Sequence, residues 1–158
     1  MDKKTRTLTE AALIAALYIV LTLLSQLFGL ASGPVQFRIS EALTILPLLT
    51  SSAIPGLAIG CALANLLTGC ALWDVVFGTI STLVAAIGTY YVGRKKPILG
   101  PIFPIFLNTL IIPFILMFVY GSEGSYPYFL LTVGIGEIVT AGALGWLLYK
   151  GLKKTNVF

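Results

Sequence analysis

The side chains able to do chemistry are few and widely spaced: Arg38 and Glu41, three apart in "GPVQFRISEAL" (33–43), then Asn65, Asp74, Asn108 and Glu137. The chain has no histidine, which removes the commonest metal ligand and acid–base group. Cys61 and Cys70, nine residues apart, have neither a metal spacing nor a disulfide framework and read as small packing residues. No phosphate-binding G-x-x-x-x-G-K-[ST] and no G-x-S-x-G nucleophile turn occurs. These features point away from catalysis, metal binding and cofactors, and leave recognition. Three carboxylates, Glu41, Asp74 and Glu137, set against Arg38 make a net negative pocket, suited to a cation or to a ligand rich in N–H donors. Asn65 and Asn108 each offer a donor and an acceptor to the edge of a planar heterocycle.

Structural readings stand beside these. Arg38 and Glu41 have the i,i+3 spacing of a local ion pair, which in a site would orient Glu41. Asp74 can cap a helix, and the two asparagines can bond helix to helix. Trp73, Tyr126, Tyr128 and Trp146 suit an interfacial belt.

The elements carrying these residues belong in a membrane. Of 158 residues, 58% are hydrophobic and 10% charged, against about 25% charged in soluble domains. The net charge of +4 then reports topology rather than nucleic-acid binding. A spanning helix needs about 20 residues, and apolar runs near 8–29, 73–92, 99–120 and 127–149 each supply one. The first run is too long for a signal-peptide core and is expected to be a retained helix. The stretch 38–69 is too long for one span and short for two, with Pro47, Ser51, Ser52, Pro55 and Gly56 near its middle.

The positive-inside rule resolves the count. Basic residues cluster at Lys3/Lys4/Arg6, Arg94/Lys95/Lys96 and Lys150/Lys153/Lys154. Holding all three clusters on the cytoplasmic side requires two short helices, 38–50 and 54–69. The expectation is an all-α membrane protein: one domain, 1–158, of six transmembrane helices with both termini cytoplasmic. That topology puts the polar residues of five helices in the outer half of the bundle. Glu137 lies about ten residues, or about 15 Å, into the last helix. Ala11/Ala15 and Ala12/Ala16 on the first helix, Gly56/Gly60/Ala64 and Ala141/Gly145 form small-residue faces that permit close helix approach.

Six short-looped helices beginning with "AALIAA" (11–16) resemble the substrate-binding S components of energy-coupling factor (ECF) vitamin transporters. In that family an A-x-x-x-A face docks on a shared membrane subunit, so Ala11, Ala12, Ala15 and Ala16 become docking candidates. The set "GPVQFRISEALTILP", "AIPGLAIGCALANLLTG", "LWDVVFGTISTLVAA" and "GIGEI" is similar to the QueT family over about 8–149. The resemblance implies an S component in the bacterial cytoplasmic membrane, working with a transmembrane coupling subunit and two ATPases. It also implies a queuosine precursor as ligand, foremost pre-queuosine 1 (7-aminomethyl-7-deazaguanine). Other expectations are a self-sufficient carrier, proton-coupled through Glu41 or Glu137, and an S component for another small heterocycle.

Overall fold

A computed structural model describes residues 2–31 and 36–155; Gly33, Pro34 and Val35 of the quoted stretch lie outside them. Among the described residues every regular element is helical. Six helices follow in order: α1 Lys3–Leu27, α2 Ile39–Leu48, α3 Ala53–Leu67, α4 Leu72–Gly93, α5 Pro97–Phe118 and α6 Tyr126–Thr155. The helices α1, α4, α5 and α6 are long and apolar enough to cross a bilayer. At 1.5 Å per residue α3 reaches about 22 Å, short of a hydrocarbon core of about 30 Å.

Helix α2 is a 3₁₀ helix over all ten of its residues, although such runs seldom exceed 3–4. Nine of the ten residues are buried. A segment buried on every side has no solvent or lipid face to present. The neighbouring pairs α1–α3, α3–α4, α4–α5 and α5–α6 form a wall, and α2 lies within it against α1, α3, α4 and α6. Leu13, Leu17, Val20, Phe106 and Phe114 point outward, an apolar exterior that suits lipid.

Small residues set the closest approaches. A Cβ on Gly56 would fall 2.8 Å from the Ala11 carbonyl, and one on Gly60 would fall 2.9 Å from Tyr18 Cβ and 3.1 Å from Ala15 Cα. Ala11 and Ala15 are therefore buried inside the bundle, against α3, while Ala12 and Ala16 face outward. Over Ile138–Leu144 α6 widens into a π-helical stretch that packs on α2. Just beyond it, Gly145 lets the Ala42 carbonyl come within 3.3 Å of its Cβ position.

The three basic clusters meet at one end. Lys3, Arg6 and Arg94 line one groove there with Glu10. Arg6 pairs with Glu10 at 2.8 Å, and the Thr50 and Ser52 hydroxyls donate to its other oxygen at 3.0 and 2.9 Å. Arg94 donates to the Leu48 carbonyl at 3.3 Å, serving an acceptor that the end of a helix leaves open. Tyr149 packs on Ile45 and Leu48, and Lys153 lies over its ring at 5.8 Å. Ala31 and Gln36 before α2, the loop between α3 and α4 and the loop between α5 and α6 gather at the opposite end, around an open cavity.

Candidate functional site

Glu41 sits in the first turn of α2, 3% exposed. One carboxylate oxygen accepts from the Tyr18 hydroxyl of α1. The other accepts from Asn108 Nδ2 of α5 at 3.4 Å. The same Nδ2 donates to Glu137 Oε1 of α6 at 3.0 Å, and Asn108 Oδ1 accepts from the Ser81 hydroxyl of α4 at 2.7 Å. One amide thus holds two buried carboxylates from different helices. With Tyr18 and Ser81 the cluster draws on five of the six helices. A buried amide placed in this way stays put, because losing any partner would strand a polar group away from water.

Arg38 and Glu41 do not pair. Among the described residues the ion pair is Arg6–Glu10. Arg38 instead sends Nη1 to Asn65 Oδ1 of α3 at 3.1 Å, so Tyr18 and Asn108, rather than Arg38, orient Glu41. Asn65 Nδ2 reaches the Asp74 carbonyl at 3.5 Å. Asp74 is not the cap of α4, a place taken by Ala71. Its Oδ2 accepts from the Tyr120 hydroxyl at 3.0 Å, and that hydroxyl in turn accepts from the Ala71 amide at 3.0 Å. Desolvation, with the Asp74 charge beside it, raises the Tyr120 hydroxyl above its ordinary range and keeps it a donor.

These residues line two compartments. The outer one, about 500 Å³, is open to the loop end and is lined by Thr22, Arg38, Cys70, Asp74, Tyr120 and Phe129 among others, with Glu123 on its rim. Its size is that of a small-molecule site. The inner one holds about 20 Å³ and is lined by Glu41, Glu137, Asn108, Cys61, Thr82 and Val133 among others. Arg38 and Gln36 belong to both walls. Five of the six residues singled out in the sequence line these compartments, with Asp74 in the outer one, Arg38 in both, and Asn108, Glu41 and Glu137 in the inner one, while Asn65 lines neither and joins them through its bond with Arg38.

Three buried atoms of these lining residues have no protein partner: Arg38 Nε, Asp74 Oδ1 and Glu137 Oε2. Buried polar atoms are seldom left unpaired, so one donor and two acceptors stand unsatisfied along the candidate site. Tyr18, Ser81 and Tyr120 were not legible as partners. Each is a hydroxyl residue near or within an apolar helix, and for the two tyrosines the hint is that buried tyrosines usually bond their hydroxyls. The described residues include no group of acidic, cysteine or histidine side chains that could hold a metal ion.

The model of the QueT transporter family matches residues 8–154. The Queuosine precursor transporter QueT of Lactococcus lactis subsp. cremoris is 39% identical over 81 residues, a stretch covering 51% of this chain and 47% of that relative. No solved structure matches. A family match over nearly the whole chain and several apolar helices long enough to cross a bilayer lead to one statement: this multi-pass membrane protein belongs to the QueT transporter family.

Proposed function

We propose that this chain is the substrate-binding S component of an ECF-type importer and that it takes up a queuosine precursor, foremost pre-queuosine 1, from the outer face of the cell membrane. The name of the Lactococcus relative, a queuosine precursor transporter, supports the substrate class. The observation that carries the proposal is the set of three unpartnered buried atoms, Arg38 Nε, Asp74 Oδ1 and Glu137 Oε2, along a cavity of small-molecule size. A 7-deazaguanine bearing an aminomethyl group brings the complementary set: a ring carbonyl to accept, and N–H donors and an ammonium to give. In this reading the chain crosses the membrane six times with both ends cytoplasmic. The shared end of the three basic clusters supports it.

Energy would come from a transmembrane coupling subunit and two ATPases. The exposed Ala12/Ala16 face of α1 is the proposed docking surface, with Ala11 and Ala15 behind it packed against α3. The test is calorimetric titration of purified protein with pre-queuosine 1, followed by uptake into vesicles with and without the ATPases. Binding together with ATP-dependent uptake is expected. Uptake without any ATPase would favour a self-sufficient carrier instead, and absence of binding would overturn the proposal.

A further inference from the structure

The two compartments differ too much in size to take the same part of a ligand. The inner one, about 20 Å³, is close to the space of a single water, and an ammonium group has similar bulk. A fused ring cannot enter it, whereas the outer compartment of about 500 Å³ admits one. Charge sorts them in the same direction. Within the inner walls two carboxyl groups, Glu41 and Glu137, face one guanidinium, Arg38, an acid-rich lining that suits a cation. Glu137 is 8% exposed and its Oε2 is unpartnered there.

Resting on the substrate reading above, we infer that the inner compartment is a primary-ammonium subsite and that the heterocycle stays in the outer compartment. The aminomethyl group reaches past Arg38 to Glu137 Oε2. The ring carbonyl, which neighbours the aminomethyl arm on the 7-deazaguanine skeleton, then falls at the junction, where Arg38 Nε is free to donate. The edge bearing the ring N–H and the exocyclic amine points outward to Asp74 Oδ1, the free oxygen of a carboxylate that Tyr120 holds by its other atom. Each unpartnered atom receives one group, and the bonding pattern of the ligand requires that order along the axis. The site therefore selects a small cationic arm, discriminating against a neutral substituent by charge and against a branched amine by volume.

Three compounds separate the terms: 7-aminomethyl-, 7-cyano- and 7-(cyclopentylaminomethyl)-7-deazaguanine, titrated into the full chain in detergent. The wild type should bind the aminomethyl compound at least about tenfold more tightly than the other two, the loss of one charge-assisted contact being of that order. Glu137→Gln should erase most of the preference over the cyano compound while changing cyano binding little. Asp74→Asn should weaken both by a similar factor. Ile112→Ala, which enlarges the inner wall, should improve binding of the cyclopentyl compound and so tests the volume term even if an acid variant unfolds. Equal losses for both compounds in Glu137→Gln, or selective loss of the aminomethyl compound in Asp74→Asn, would overturn the assignment. Folded wild-type protein that binds none of the three would instead overturn the substrate reading on which it rests.

Discussion

Tyr18 of α1 donates its hydroxyl to Glu41 of α2, and both groups are fully enclosed by the bundle. The phenol fixes one oxygen of the carboxylate and leaves the other to Asn108. Tyr18→Phe keeps the ring packing and removes the donor. Leaving a buried acceptor unpaired costs about 1–3 kcal/mol. The variant should therefore unfold at a lower temperature and bind pre-queuosine 1 about three- to tenfold more weakly. Thermal unfolding and calorimetry measure the two effects. Unchanged affinity would mean that Glu41 is held well enough without Tyr18.

The proposed topology places residue 95 on the cytoplasmic side and Tyr126 outside. With Cys61 and Cys70 replaced, single cysteines at 95 and 126 should label from opposite faces of intact cells with an impermeant maleimide. Labelling of residue 95 from outside would reverse the orientation.

The two alanine pairs of α1 should separate cleanly. Ala12→Trp and Ala16→Trp enlarge an exposed surface, so ligand binding should survive while ATP-driven uptake is lost. Ala15→Trp and Gly60→Leu drive bulk into a contact already within about 3 Å and should destabilise the protein by about 1–3 kcal/mol or more. Melting temperatures and uptake rates on the same preparations distinguish the two. Normal uptake with Trp at both 12 and 16 would remove that face as a docking surface.

Tyr120 ties the end of α5 to the start of α4 through Asp74 and the Ala71 amide. Tyr120→Phe should speed hydrogen exchange at Ala71 and weaken ligand binding several-fold. Because the folded-state hydroxyl titrates above its unfolded value, the contact should be fully present below the ordinary tyrosine value of about 10. It should be lost only as pH rises through the higher folded value. Exchange at Ala71, corrected for intrinsic rates, should show no step near pH 10.

Much of the site was legible because charges are so rare in this chain. Each of Arg38, Glu41, Asp74 and Glu137 interrupts apolar sequence, and the spacing of the basic clusters put their helices in a common bundle. Pairing was harder to read. The i,i+3 separation of Arg38 and Glu41 suggested a local bond, but Asn65 and Tyr18 on neighbouring helices take these two side chains instead. The 3₁₀ state of α2 had no signal, since burial on every side erases the hydrophobic periodicity from which helix type is read. Small-residue spacing on α1 announced close approach without naming the partner, and α3 claims Ala11 and Ala15.

The enclosure of α2 also constrains how the chain is made. Ten 3₁₀ residues reach about 20 Å at 2.0 Å each, too short to span alone, and Arg38 and Glu41 at the leading end make unaided insertion costlier still. In the proposed six-crossing topology the segment would enter with α3 as a hairpin. Its neighbour α6 is synthesised after the other five helices, and it supplies Glu137 and the widened turn that packs on α2. A nascent chain stopped before α6 holds Glu41 without Glu137 and without the widened turn, so the candidate site is assembled only once α6 has packed on α2.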